Sequence, residues 1–170
     1  MRIHLREVLE EAWSEIDRRS LVLVSFGGLG SGPLKNAHWD DLKGYCFVAD
    51  TEPPPGFPAA WTRIRDSDGL AHEELVHASD IVLGKPGYGT CAEVLAHGCR
   101  FLHLPRLGFR EVPVLEAGLT GHPARQMPRS DFYAGRWRAH LDALMTLPEA
   151  SPLPANGADH IADSLLTRLT

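Results

Sequence analysis

A short glycine-rich segment in the middle of the chain has a composition that suits phosphate binding. Gly84, Gly87 and Gly89 lack a Cβ, so the backbone can approach a ligand closely at these positions. Lys85 adds a positive point charge, and Thr90 stands where we expect a helix to begin, with free N–H groups and a partial positive charge. The segment predicts a diphosphate site, although a tight strand-to-helix turn without a ligand would show the same pattern.

Glu93 follows Thr90 by three residues, and this spacing has two interpretations. In the first, Thr90 and Glu93 form a capping box at the helix start, and their role is purely structural. In the second, the Glu93 carboxylate accepts hydrogen bonds from both hydroxyls of a ribose held over the helix start. A carboxylate has lone pairs for several donors, so both interpretations stay open.

A second glycine-rich segment, residues 27–32, follows another apolar run and favours a dinucleotide site. Asp50, at the end of the next predicted strand, is placed as that kind of site requires. However, a G-x-G-x-x-G pattern counted from Gly28 needs a glycine where Pro33 stands. The fingerprint therefore fails at its last position, and NAD(P) binding is kept as an alternative.

Two histidines invite comparison with the zinc protease motif. That motif needs histidines four residues apart on one helix face, whereas His72 and His77 are five apart and position 76 is Val76. We interpret them as part of a polar helix surface and predict no metal site.

Short apolar runs alternate with amphipathic segments along the chain, and this alternation predicts the elements that position these residues. The predicted strands cover residues 21–26, 45–49, 61–65, 80–83, 101–104 and 124–127. The predicted helices cover residues 2–18, 33–42, 70–78, 90–97, 112–119, 131–144 and 159–169. We expect one α/β domain over residues 1–170, with a leading helix in residues 1–20 and a Rossmann-like doubly wound parallel sheet of about six strands, helices on both faces. In a 3-2-1-4 strand order both glycine-rich turns face one crevice.

Bulk composition limits the classes of partner. A net charge of −5 and a pI near 6.0 argue against nucleic acid, which requires a basic face. No apolar run is long enough for a transmembrane segment. The three cysteines are odd in number and form no C-x-x-C pair, so we expect reduced thiols and a cytoplasmic protein.

Residues 79–98 read SDIVLGKPGYGTCAEVLAHG and resemble the donor-site signature of the GT-B glycosyltransferases, family 28 type, which include the peptidoglycan N-acetylglucosaminyltransferases. The resemblance is closer to the glycosyltransferase-like domain fused ahead of plant L-arabinokinases. That group shares the G-K-x-G-Y-G-T-x-x-E core, an acidic-proline stretch like residues 111–115 and a late Asn-Gly like residues 156–157. Residues 24–28, VSFGG, resemble the start of the C-terminal domain, so the resemblance spans about residues 20–168.

The resemblance implies a site for a nucleoside-diphosphate sugar, with a UDP-sugar favoured, no metal and no other cofactor. With Lys85 included, the residues expected at the diphosphate are Gly27, Gly28, Lys85, Gly87, Tyr88, Gly89 and Thr90. Glu93 would bind the ribose, and the base would lie near Ile64 and Arg65. Donor-sugar hydroxyls would be read by Arg110, Glu111 and Glu116. The Gln and Asn of the peptidoglycan enzymes are absent, which leaves the donor sugar open, and no catalytic residue is assigned.

GT-B enzymes bind the acceptor in an N-terminal domain, for which this chain has no counterpart. The resemblance therefore implies a half that binds a nucleotide sugar but transfers nothing alone. We expect a partly apolar face for an N-terminal domain or second chain, with a homodimer as a further option. Two alternatives remain: a non-catalytic regulatory module that binds nucleotide sugars, and an NAD(P)-binding protein.

Overall fold

The computed structural model describes most of the chain, namely residues 19–27, 34, 37–64, 69–154 and 156–169. The predicted leading helix at 2–18 and the predicted site residues Gly28 and Arg65 lie outside the described residues. The strands are β1 (Ser20–Ser25), β2 (Tyr45–Ala49), β3 (Ala60–Arg63), β4 (Ile81–Gly84), β5 (Arg100–His103) and β6 (Ala124–Gln126). The helices are α1 (His72–Ala78), α2 (Tyr88–His97), α3 (Val112–Gly118), α4 (Arg129–Ala134), α5 (Arg138–Met145) and α6 (Gly157–Leu169).

The six strands form one parallel sheet in the order β3-β2-β1-β4-β5-β6. This confirms the predicted Rossmann-like α/β class and the neighbouring positions of β1 and β4. The order reverses between these two strands, where Ser25 pairs with Gly84 at their carboxyl ends. A Cβ at Gly84 would collide with the Ser25 carbonyl oxygen, so the two backbones can approach here only because residue 84 is glycine.

Alternating strand residues point to opposite faces of the sheet and build two cores. One core joins Leu21 and Phe101 of the sheet to Val94 of α2, with further residues of α1 and α3. The other joins Phe47 to the fully buried Trp137, within a group of aromatic rings that pack either edge-to-face or stacked. Because both faces are covered, the carboxyl edge of the sheet is where a ligand can reach the strands.

The prediction of a helix at residues 33–42 is wrong for the part that the structure describes, since residues 37–42 are not helical. The His38 N–H donates to the Ala134 carbonyl at 3.0 Å, and the Asp40 N–H donates to the Gly135 carbonyl at 3.1 Å. These backbone groups are thus satisfied by a distant part of the chain, and no local helix is needed to satisfy them.

The single helix predicted at residues 131–144 is also wrong, because α4 and α5 are separate. Gly135 ends α4 with a φ of 80°, a left-handed conformation that favours glycine. A Cβ at Gly135 would lie 3.0 Å from the His38 carbonyl oxygen. The break therefore lets the extended segment at 37–42 lie against the end of α4.

Candidate functional site

The helix that follows β4 begins earlier than the sequence predicts. Gly87 is the N-cap of α2, and its carbonyl accepts the Cys91 N–H at 2.8 Å, which makes Tyr88 the first helical residue. Thr90 is therefore the third residue of the helix and does not cap it, so the capping-box interpretation of Thr90 and Glu93 is wrong.

This earlier start brings several backbone donors to the predicted phosphate position. The first N–H groups of a helix, here those of Tyr88, Gly89 and Thr90, have no partner within the helix. No side chain caps α2, and its first turn contains no acidic residue. The helix start therefore offers N–H groups and a partial positive charge to an anion.

A cleft of about 450 Å³, here called the carboxyl-edge cleft, opens over this helix start. It is lined by Ser25, Phe26, Gly27, Asp50, His72, Lys85, Gly87, Gly89, Thr90, Glu93 and Arg106. Six residues predicted for the diphosphate and ribose thus come together in one cleft. Tyr88 lies beside them as the first residue of the helix and is 58% exposed, so it can offer its N–H group to a ligand.

Lys85 is half-buried at this cleft, and its Nζ lies 5.8 Å from the centre of the Phe26 ring. Burial lowers the pKa of Lys85, and the positive charges of Arg106 and Arg129 lower it further. Positive charge is therefore concentrated at this side of the cleft, and an anion bound there would offset that repulsion.

A chain of three hydrogen-bonding side chains also lines the cleft. The His72 Nε2 lies 2.9 Å from the Ser25 Oγ, and the His72 Nδ1 lies 3.1 Å from the Glu93 Oε2. His72 thus connects the end of β1 to α2 and holds Glu93, the residue predicted to bind the ribose, in place. The interpretation of His72 as part of a polar helix surface missed this contact, because Ser25 is 47 residues away in the sequence.

Arg106 is the second residue of the cleft that sequence reasoning missed. It belongs to the loop after β5, in which the resemblance implies site residues only from residue 110 onward. Its Nη1 donates a hydrogen bond to the Pro86 carbonyl at 3.3 Å, directly beside the glycine-rich turn. A basic residue soon after a predicted strand end is the signal that could have found it.

The remaining predicted residues lie away from the lining of this cleft. The Ile64 side chain packs against the core, and its N–H donates to the Ala49 carbonyl at 2.7 Å. Arg110 and Glu111 are exposed in the loop that leads into α3. Glu116 of α3 accepts a hydrogen bond from the Gln126 Nε2 at 3.1 Å.

A larger hollow of about 630 Å³, here called the helix-side hollow, lies between α1, α2 and the segment leading to α6. It is lined by Glu73, Glu74, His77, Ala92, Glu93, Leu95, Ala96, His97, Leu153, Pro154 and Gly157. Its lining contains three glutamates and neither lysine nor arginine, whereas the carboxyl-edge cleft balances the carboxylates of Asp50 and Glu93 with Lys85 and Arg106. Despite its greater volume, we therefore place the candidate site in the carboxyl-edge cleft.

No protein-family model matches the chain. It is similar to L-arabinokinase from Arabidopsis thaliana, with 31% identity over 153 residues, which cover 86% of this chain and 14% of that protein. Two solved structures have a similar fold. The glycotransferase of kitacinnamycin aligns with a TM-score of 0.55 and 18% identity, over 80% of this chain and 37% of that one. The glycosyltransferase SnogD from Streptomyces nogalater aligns with a TM-score of 0.51 and 15% identity, over 86% and 44%.

The chain therefore has a glycosyltransferase-like fold. The resemblance predicted from the segment at 79–98 is thereby confirmed at the level of the fold, since both structural neighbours are glycosyltransferases. The domain spans about one seventh of the length of L-arabinokinase and less than half of each glycosyltransferase. Among the described residues, no helix has both the length and the apolar character needed to cross a membrane.

Proposed function

We propose that this glycosyltransferase-like domain binds the donor of a glycosyl transfer, a nucleoside-diphosphate sugar, in the carboxyl-edge cleft. The observation that supports this is the meeting of three features at one edge of the sheet. These are the uncapped start of α2 after Gly87, the cation of Lys85 and the carboxylate of Glu93. The helix start and Lys85 suit a diphosphate, and Glu93 suits the ribose hydroxyls.

The same features would assist the departure of the leaving group. When the bond between the sugar and the diphosphate breaks, negative charge develops on the terminal phosphate. Preorganised N–H groups and cations near that phosphate stabilise the charge.

The three cysteines are buried and form no disulfide, as expected in the reducing cytoplasm that we propose as the location.

The acceptor would be bound by an N-terminal domain or a second chain. The helix α6 supports this arrangement, because it exposes Ile161, Leu165 and Leu166 by 56 to 64%. Apolar side chains grouped on one exposed helix are a feature of interaction surfaces. A second copy of the chain is another candidate for this surface.

The similarity to L-arabinokinase supports a second candidate function, that of a regulatory module. L-arabinokinase is named as a kinase, and the matching stretch is a small part of it. A domain of this kind could bind a nucleotide sugar as a regulatory module without transferring the sugar. A neighbouring reading frame that encodes a second Rossmann-like half would favour the split transferase.

Thermal unfolding with UDP, GDP, ADP and NAD tests the proposed donor site. A ligand present at 100 times its Kd stabilises the folded state by about 2.7 kcal/mol, which raises the Tm of a domain of this size by roughly 5–10 °C. We expect one nucleoside diphosphate to produce such a rise and Glu93→Ala to remove it.

Glu73→Ala is the matched control, since Glu73 is an exposed glutamate that lines the helix-side hollow only. We expect this variant to retain the full ligand-induced rise in Tm. A response to NAD alone would refute both the transferase and the regulatory proposal.

A further inference from the structure

Arg106 stands at the mouth of the predicted phosphate site, although it belongs to a different loop. The loop after β5 carries it to the turn between β4 and α2, where its Nη1 donates to the Pro86 carbonyl. A Cβ placed on Gly87 would lie 3.7 Å from that nitrogen. The guanidinium therefore lies directly beside the helix start at Gly87.

The Arg106 side chain is already held in position. Its Cζ lies 3.7 Å from the centre of the Phe109 ring, which is a close cation–π contact. Together with the hydrogen bond to Pro86, this stacking fixes the guanidinium plane. A cation that is ordered before binding loses less conformational entropy when a ligand arrives.

Most hydrogen-bonding capacity of Arg106 is not used within the described residues. A guanidinium has five N–H donors, and the bond to Pro86 uses one of them. Among the described residues, no carboxylate forms an ion pair with Arg106. The planar group thus keeps donors available in a geometry that suits two oxygens of one phosphate.

The charge of Arg106 also acts on Lys85, at the start of the same turn. Arg106 is one of two arginines whose charge lowers the pKa of Lys85, after burial as the largest cause. The two like charges at this cleft repel each other, and an anion bound there reduces the repulsion. A diphosphate has oxygens on two phosphorus atoms, so one ligand can place a phosphate group against each cation.

We infer that Arg106 binds the terminal phosphate of the donor and makes the site selective for nucleoside diphosphates over monophosphates. The inference depends on the proposed function, because it assigns a specificity residue to the same donor site. It adds a phosphate-binding residue that the sequence pattern did not include. It also assigns the two phosphates to two different loops. Lys85 and the start of α2 hold the inner phosphate, and Arg106 holds the outer one.

The affinities of Arg106→Gln for UDP, GDP and ADP, measured by calorimetry beside those for the three monophosphates, test this assignment. A charged hydrogen-bonding pair contributes enough for about a tenfold change in Kd. We expect Arg106→Gln to weaken diphosphate binding about tenfold and to leave monophosphate binding nearly unchanged. Arg106→Lys should be intermediate, since it keeps the charge but loses the planar fork and the stacking on Phe109.

Arg125→Gln is the matched control, because Arg125 is an exposed arginine on the edge strand β6 and does not line the cleft. It removes the same charge and should change neither affinity. If wild type binds a diphosphate and Arg106→Gln binds it equally well, the role of Arg106 is refuted while the donor site stands. If wild type binds none of the six nucleotides, the proposed function fails, and the role of Arg106 fails with it. Arg106→Lys provides the same contrast if the Gln variant does not fold.

Discussion

Two hollows formed by the described residues share one side chain, Glu93, but differ in the groups around it. The carboxyl-edge cleft adds a helix start, Lys85 and Arg106, all of which carry positive charge. The helix-side hollow is larger, yet it adds Glu73, Glu74 and apolar groups such as Leu153. Volume alone would select the second hollow as the site. The distribution of charge selects the first, because a diphosphate needs donors and cations close to its oxygens.

Glu93 lies between the two hollows, so its carboxylate has different neighbours on its two sides. On one side it contacts His72, which in turn contacts Ser25. On the other it belongs to an acidic helix surface. We infer that His72 holds the carboxylate toward the cleft, where ribose hydroxyls would replace solvent.

The largest expected effect comes from the contact between the carboxyl ends of β1 and β4, next to the carboxyl-edge cleft. Gly84→Ala places a Cβ against the Ser25 carbonyl, and the two central strands must separate to admit it. We expect a loss of about 1–3 kcal/mol in the free energy of unfolding and a loss of nucleotide binding. Chemical denaturation and calorimetry measure the two quantities, and wild-type stability in this variant would contradict the strand contact.

A smaller effect is expected from the side chain that positions Glu93. His72→Ala removes one hydrogen bond to a carboxylate, which is worth about a fivefold change in affinity for a nucleoside diphosphate. If His72 acts through Glu93, adding His72→Ala to Glu93→Ala should produce little further loss. Additive losses in the double-mutant cycle would show that His72 acts independently of Glu93.

The charge of Lys85 should make binding sensitive to pH. Its pKa is lowered from 10.5, so the ammonium loses its proton at a lower pH than an ordinary lysine does. Because the diphosphate favours the protonated form, we expect affinity to fall roughly threefold as pH rises from about 7 to about 10. Lys85→Arg should remove the dependence, since arginine stays protonated throughout this range. An equal fall in the variant would place the titrating group elsewhere.

The smallest effect is expected in the helix-side hollow. Leu153 lines that hollow with a 54% exposed side chain, so Leu153→Ser removes little buried surface. We expect unchanged nucleotide affinity and a change in stability within about 0.5 kcal/mol. A clear loss of affinity would move the ligand site from the cleft to the hollow.

The sequence pattern predicted the sheet and the loop residues because both depend on local signals. Apolar runs ended by glycine mark buried parallel strands, and the turn after β4 stands at the end of such a run. The helix start was misplaced by two residues, because a glycine without a side-chain cap gives no sequence signal for an N-cap. His72 and Arg106 reach the cleft only through tertiary packing, which periodicity does not encode. The extended segment at 37–42 likewise depends on hydrogen bonds to residues almost a hundred positions away.

The glycines in and around the site should differ in how well they tolerate substitution. Gly98 ends α2 with a φ of 67°, and a Cβ there would lie 2.5 Å from the Ala150 carbonyl oxygen, so the far end of the helix tolerates no side chain. Gly89 at the near end has open space around it. In a library selected only for folded protein, positions 84 and 98 should stay glycine, whereas position 89 should accept alanine. Selection for ligand binding should then restore glycine at position 89, which separates the glycines that maintain the fold from those that leave room for a phosphate.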